Sequence, residues 1–170
     1  MMRRIVTGAG LVVWLAVGLP AAEPRDPGKQ TIARIETTVL LGTNGDPAVA
    51  GERASAVAPD VAGRLRASEH LRFAHYRLLG TATRRIYRSY ENWAQPLAPS
   101  DEVLVRFEAQ SAPRRSGQRL DLELWLSRKK ILKTDVLVSG RRPVYILGPE
   151  WRGGRLIVAV GLAPEARPGQ

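Results

Sequence analysis

The chain has 170 residues, of which 44% are hydrophobic and 25% are charged. This composition is typical of a folded globular protein and excludes wholesale disorder, and the length predicts a single domain. The 26 basic and 16 acidic residues give a net charge of +10. A basic surface attracts anionic polymers or lipid headgroups, although a compositional bias toward arginine gives the same charge. Cysteine is absent, which excludes disulfides, thiolate metal sites and lipoprotein anchoring.

The N-terminus has the pattern of a secretory signal peptide. Arg3 and Arg4 precede a mainly apolar run at 5–19, and small residues follow at 20–22. This order predicts cleavage after residue 22 and a periplasmic or secreted protein. An uncleaved membrane anchor is the alternative, but the apolar run is shorter than the ~20 residues that a span usually needs. Cleavage would remove two arginines, lower the net charge to +8 and leave no stable transmembrane span.

Four segments follow in chain order before the main β region. We expect the polar residues 23–31 to form a flexible leader. We expect residues 32–41 to form a first strand, because polar and apolar residues alternate there and β-branched side chains are frequent. Residues 42–58 are rich in turn-forming and small residues and predict a mobile connection. Residues 60–69 predict one short helix against an edge or end of the sheet, because apolar residues recur four apart after a Pro-Asp start.

From residue 71 onward, apolar residues recur at every second position, which is the spacing of β-strands. Residues 71–79 and 81–90 predict two extended segments separated by Gly80, and residues 103–109 predict a half-buried strand. The strongest signal is leucine at every second position of 120–126, because a spacing of two places all four on one face of a sheet. The predicted core comprises Leu120, Leu122, Leu124 and Leu126 together with Val103, Val105, Phe107, Val136, Val138, Leu156, Val158 and Val160.

Three further strands complete the pattern, at 132–138, 143–147 and 155–162, and residues 148–154 predict a loop between the last two. Strands of this spacing predict a mainly β protein: a single antiparallel β-sandwich-like domain of about eight strands with one short helix. The domain would span residues 32–162, and a disordered tail, 163–170, would follow it.

Sequence motifs for catalysis and cofactor binding are absent. The chain has no GxSxG nucleophile elbow, no GxxxxGK[ST] phosphate loop and no HxH or HExxH metal motif. His70 and His75 are its two histidines, and we interpret His70 as a surface residue and His75 as part of a sheet face. We therefore predict that the protein is not an enzyme and has no catalytic residues, cofactor or metal site.

One local feature predicts a ligand-binding surface. Arg84, Arg85, Arg88, Tyr90 and Trp93 lie within ten residues. Arginines beside aromatic rings are typical of platforms for single-stranded nucleic acid or acidic glycans. The alternative is an edge strand whose arginines discourage pairing with another chain.

A resemblance concerns the order of these segments. A short helix is followed by HLRFAHYRLLGTATRRI, a leucine-alternating strand and the ending RPVYILGPEWRGGRLIVAVGL. This arrangement resembles a loose set of exported, β-rich bacterial proteins, in which a tyrosine before paired leucines and a late G-P…G-G-x-L-I segment recur. The resemblance covers residues 60–162. It implies a β-rich extracytoplasmic domain and brings no activity or catalytic residue with it.

These observations predict a non-catalytic exported envelope protein that acts as a protein-interaction or assembly module. Its partner would be another envelope protein, and its edge strands would suit strand addition. The alternative is binding of an anionic polymer (nucleic acid, acidic glycan or lipopolysaccharide) through an arginine-rich surface.

Overall fold

The computed structural model describes residues 26–89, 92–94, 103–110, 117–140 and 142–163. They form two antiparallel sheets and one short helix, the mainly β, sandwich-like fold that the sequence predicts. The predicted signal segment, Tyr90 and most of the predicted tail lie outside the described residues. The elements are β1 (Thr31–Thr43), β2 (Ser55–Ala56), α1 (Pro59–Arg66), β3 (His75–Tyr87), β4 (Asn92–Ala94), β5 (Val103–Ala109), β6 (Gln118–Leu126), β7 (Lys129–Val138), β8 (Val144–Trp151) and β9 (Gly154–Leu162).

The larger sheet has the strand order β2-β3-β1-β9-β8. Its central strand, β1, pairs with β3 on one side and with β9 on the other, so strands from the two ends of the domain lie side by side. The smaller sheet is a meander of three full strands, β5-β6-β7, with the three-residue β4 at its edge. The larger sheet therefore depends on long-range pairing, whereas the three full strands of the smaller sheet pair with their neighbours in sequence.

The core lies between the inner faces of the two sheets. It unites Ile35, Val39 and Leu41 of β1 with the leucines of β6. Eleven predicted core residues are buried, while the twelfth, Leu126, is half-buried and packs against the same cluster. The buried ones are Val103, Val105, Phe107, Leu120, Leu122, Leu124, Val136, Val138, Leu156, Val158 and Val160. The period-2 leucines thus occupy one sheet face, as predicted.

The helix lies on a face of the larger sheet, not at an edge or end as the sequence suggested. Leu65 and Ala62 of α1 pack with Leu40 of β1, Ile157 of β9 and Tyr76 of β3 in a second buried cluster. The physical reason is that the outer face of β1 and β9 is apolar near these residues and must be covered. The molecule therefore has three layers, with the helix outermost.

The strand predicted to begin at residue 71 begins instead at His75. Leu71 ends a 3-10 turn, and the Tyr76 hydroxyl fixes the segment by donating to the Leu71 carbonyl oxygen (2.8 Å) and accepting from the Phe73 amide (3.0 Å). Beyond this point the two predicted extended segments form one strand. It bulges at Leu79, because Val39 pairs with Gly80 and Leu40 already pairs with Leu78.

The connection at 42–58 has more local structure than the sequence suggested. Asp46 begins a 3-10 turn at Pro47–Ala50 by accepting a hydrogen bond from the amide of Ala48. Ala50 and Ala54 are buried, and β2 then pairs with β3. The small residues of this segment therefore serve close packing as well as turns.

The predicted loop at 148–154 is a tight hairpin. Strand β8 continues to Trp151, with a register irregularity after Leu147, and β9 begins at Gly154. Arg152 and Gly153 both have positive φ, 47° and 73°, as the mirror-image turns of two-residue hairpins require. The glycines and proline of this segment therefore shape a strand and its turn.

Candidate binding groove on the larger sheet

The residues predicted to form one ligand platform lie in different places. Arg84 and Arg85 are neighbours on β3, and because side chains of a strand alternate, they lie on opposite faces of the larger sheet. Arg88 follows the end of β3, and Trp93 belongs to the smaller sheet. All four are exposed. Tyr90 lies outside the described residues, and no side-chain hydrogen bond or cation–π contact joins any two of the four described residues.

Trp93 instead contacts Trp125 of β6. The centroids of their rings are 5.8 Å apart, and the ring planes are tilted by 55°. The ammonium group of Lys130 lies 5.6 Å from the centroid of Trp125. Trp93 is 44% exposed, which places an open indole at the edge of the smaller sheet.

The outer face of the larger sheet, which also carries α1, contains a groove of about 350 Å³. It crosses β3, β1 and β9 and is bounded by α1 on one side and by β8 on the other. Its lining combines apolar and polar side chains, and it lies beside the helix cluster, with which it shares Leu40. The residues that line it are Glu36, Thr38, Leu40, Ala56, Val57, Ala58, Val61, Arg64, Leu78, Thr81, Pro143, Tyr145, Ala159, Gly161 and Leu162.

The wall formed by α1 is fixed by polar contacts. Arg64 donates to the carboxylate of Asp60, one turn earlier, over 2.8 Å. The Tyr145 hydroxyl, followed by Asp60, raises the pKa of the Arg64 guanidinium, and that guanidinium lowers the pKa of Asp60. Arg64 is therefore held to Asp60 within α1, and it lines the groove together with Tyr145 of β8.

Some polar side chains in the floor of the groove are hydrogen-bonded to each other, and others have no ion pair within the described residues. Thr38 and Thr81 lie directly opposite each other on β1 and β3, and their hydroxyls are hydrogen-bonded at 3.2 Å. Glu36, two residues before Thr38 on the same face, is exposed and forms no ion pair within the described part of the chain. The next pair beyond Glu36 is Arg34 opposite Arg85, and both are exposed.

The outer face of the smaller sheet has a different electrostatic character. Glu123 is only 4% exposed, yet it accepts hydrogen bonds from Lys130 (3.1 Å) and from the indole of Trp125 (3.0 Å). Arg106 and Lys133 also lie within 4 Å of its carboxylate, at 3.5 and 3.8 Å. Burial raises the pKa of Glu123, but the bonds from Lys130 and Trp125 and the nearby cations outweigh it, so the pKa is lowered. The negative charge of this carboxylate is therefore balanced by cations of the same chain.

A shallower concavity lies at the hairpin end of the larger sheet, where Arg152 covers the ring of Trp151 at 4.5 Å. His70 and His75 are both exposed, His75 as the first residue of β3. Among the described residues, no group of three or more histidine, aspartate or glutamate side chains is arranged to hold a metal ion.

Sequence analysis did not assign a site to Arg34, Glu36, Arg64 or Tyr145. The available signal was the polar alternation of Arg34, Glu36 and Thr38 along the first strand, which marks one face of β1 as solvated. Which other strands share that face depends on pairing between distant segments, so the groove itself carries no local signal.

Comparison with protein-family models, with curated proteins and with solved structures finds no match for this chain. The resemblance to exported β-rich proteins therefore stays a prediction. Within the described residues, no helix is both long and apolar enough to cross a membrane. The site must accordingly be interpreted from its own geometry.

Proposed function

We propose that this chain is a non-catalytic, exported envelope protein whose groove binds a short segment of a partner protein. The observation that carries the proposal is the groove across the outer face of the larger sheet, which lies between α1 and β8 and has a floor that is partly apolar and partly charged. Its volume of about 350 Å³ lies within the range of specific ligand sites, ~300–1,000 Å³.

The shape of the groove favours a peptide segment as its occupant. From β3 to β8 it crosses three interstrand spacings, about 14 Å. About four extended residues cover that distance. Val57, Val61 and Leu78 are half-buried and offer apolar contacts, while Glu36 leaves a charge available to the partner. A short extended segment with mixed side chains matches this combination.

An anionic polymer is the second candidate ligand, and the arginines of β3 favour it. Arg84, Arg85 and Arg88 are exposed, and none of them forms an ion pair within the described part of the chain. Their positive charge is divided between two faces, however, so a single polymer strand cannot follow all three along one surface. Binding to several phosphates or sulfates would weaken steeply with salt, and that dependence distinguishes this candidate from the first.

The proposal is tested by filling the groove. Thr81→Trp places an indole over its floor and should weaken binding of peptides from a synthetic heptapeptide library about tenfold or more, or about 1.4 kcal/mol. The matched control is Leu137→Trp, because Leu137 is 50% exposed on the edge strand of the other sheet. Circular dichroism and thermal melting establish that both variants fold. The proposal fails if no heptapeptide binds the wild-type protein, or if folded Thr81→Trp binds the same peptides equally well.

A further inference from the structure

Arg34 and Arg85 form a pair of like charges that has no counter-charge among the described residues. They lie directly opposite each other on β1 and β3, and both are exposed. Side chains in this relation have Cβ atoms about 4.5–5.5 Å apart, so the two guanidinium groups can reach one ligand. Neither forms an ion pair within the described residues, and Glu36, two positions from Arg34, forms none either.

This arrangement works against the stability of the sheet. Like charges directly opposite on neighbouring strands repel and destabilise the pairing. Other exposed cations, such as Arg84 and Arg88, also form no ion pair within the described residues, but Arg84 lies opposite Ile35 and not opposite a second cation. A bound carboxylate would relieve the repulsion, because it can accept paired hydrogen bonds from a guanidinium group.

The surroundings indicate how much negative charge the ligand carries. Among the described strand residues, the positive stretch on this face consists of Arg34 and Arg85, because Glu36 follows on one side and Arg84 lies on the opposite face. A chain of repeating phosphates or sulfates would meet the carboxylate of Glu36. A single carboxylate can accept hydrogen bonds from guanidinium groups, and the apolar part of the groove begins beyond Glu36, at Leu40 and Leu78.

We infer that Arg34 and Arg85, which lie next to Glu36 just outside the groove, form a carboxylate subsite beside it, and that the partner segment carries one carboxylate a few residues from apolar side chains. This inference rests on the proposed function, since it assigns the chemistry of the segment that the groove binds. The carboxylate comes either from an aspartate or glutamate side chain or from the C-terminus of the partner.

The test uses the same heptapeptide library, synthesised once with free C-terminal acids and once with C-terminal amides. Peptides that bind the wild-type protein should be enriched in an acidic residue if a side chain is the source, or bind only as free acids if the C-terminus is. Arg34→Gln with Arg85→Gln should weaken binding of these peptides about tenfold or more. Arg84→Gln is the matched control, because it removes the same charge from the other face of the same strand.

A stability measurement separates binding from folding. Removing the repulsion should leave the melting temperature of the Arg34→Gln, Arg85→Gln protein equal to or above that of the wild type, while binding falls. The inference is overturned if the double variant binds the selected peptides like the wild type, or if those peptides show no preference for a carboxylate.

Two further outcomes identify other failures. If no peptide depends on the groove, as shown by Thr81→Trp, the proposed function fails together with the inference. If heparin or single-stranded DNA binds more tightly than any peptide, with a steep salt dependence and an equal loss in Arg84→Gln, the ligand is a polyanion and the carboxylate subsite is rejected.

Discussion

The two outer faces of the sandwich carry similar residue types but arrange their charges differently. On the smaller sheet, Glu123 is surrounded by Lys130, Arg106 and Lys133, so the charges of that face are largely balanced inside the protein. On the larger sheet, Arg34 and Arg85 face each other without an acidic partner in the described structure. The first arrangement balances charges within the chain, whereas the second leaves two like charges opposite each other among the described residues.

Burial sharpens this difference. The carboxylate of Glu123 is almost inaccessible, so its ion pairs are held in place and few of its atoms remain for a ligand. Glu36 on the larger sheet is exposed and adjoins a groove. Net charge alone does not separate the two faces. What separates them is whether each charged group finds its partner in the same chain.

The largest expected effect comes from the core that both faces share. Leu122 is fully buried between the sheets, so Leu122→Ala should lower the free energy of unfolding by about 2–5 kcal/mol through lost burial and a cavity. Urea denaturation measures the loss. Leu126→Ala is the matched control and should cost less, because Leu126 is half-buried at the end of the same row. Equal losses would contradict the assignment of Leu122 to the centre of the core.

The sequence predicts the smaller sheet better than the larger one, and the reason is physical. Its three full strands follow one another in the chain. The alternation of apolar and polar residues from Val103 to Val138 therefore indicates both the buried face of each strand and the order of the strands. Pairing of β1 with β9 joins segments far apart in sequence, and no local pattern specifies such a register. The face shared by Arg34 and Arg85 results from that kind of pairing, and so does the groove.

Local exceptions account for the other differences. The bulge at Leu79 changes which residues of β3 share a face, and the hydroxyl of Tyr76 delays the start of that strand. Arg152 adopts positive φ in a two-residue turn, although arginine is not a residue that indicates such a turn. Each depends on tertiary contacts or on strand pairing that the local sequence does not display.

An intermediate effect is expected from acid at the balanced face. Because the pKa of Glu123 is lowered in the folded protein, its ionisation contributes stability that is complete above the unfolded-state pKa of ~4.3 and is lost as the pH falls through the folded-state pKa. The free energy of unfolding of the wild type should therefore fall between about pH 5 and pH 2. Urea denaturation across this range measures the loss.

Glu123→Gln identifies the group responsible. This variant should be less stable than the wild type at neutral pH, because it leaves Lys130, Lys133 and Arg106 without their shared carboxylate, and it should show a shallower acid dependence. Glu108→Gln is the control, since Glu108 contacts only the edge of this network through Arg106 and is 44% exposed. If the free energy of unfolding of Glu123→Gln fell with pH as steeply as that of the wild type, Glu123 would not be the group that balances the charges of this face.

The smallest expected effect distinguishes the two sides of β1 itself. Thr37 is fully buried on the inner face, between Ala82 and Val160 in the strand register, and its hydroxyl has no hydrogen-bond partner among the described residues. A buried hydroxyl without a partner costs about 1–3 kcal/mol, and valine has nearly the same shape and a higher preference for strands. Thr37→Val should therefore raise the free energy of unfolding by about 1 kcal/mol in urea denaturation.

The adjacent residue is the natural control for this prediction, because it differs from Thr37 mainly in the face it occupies. Thr38 lies on the outer face and shares a hydrogen bond with Thr81, so Thr38→Val removes a made bond and leaves the Thr81 hydroxyl beside a methyl group. Its stability should be unchanged or lower. If both variants gained stability equally, the hydroxyls of Thr37 and Thr38 would not differ in their hydrogen bonding. The hydrogen bond between Thr38 and Thr81 would then not be an ordered part of the groove floor.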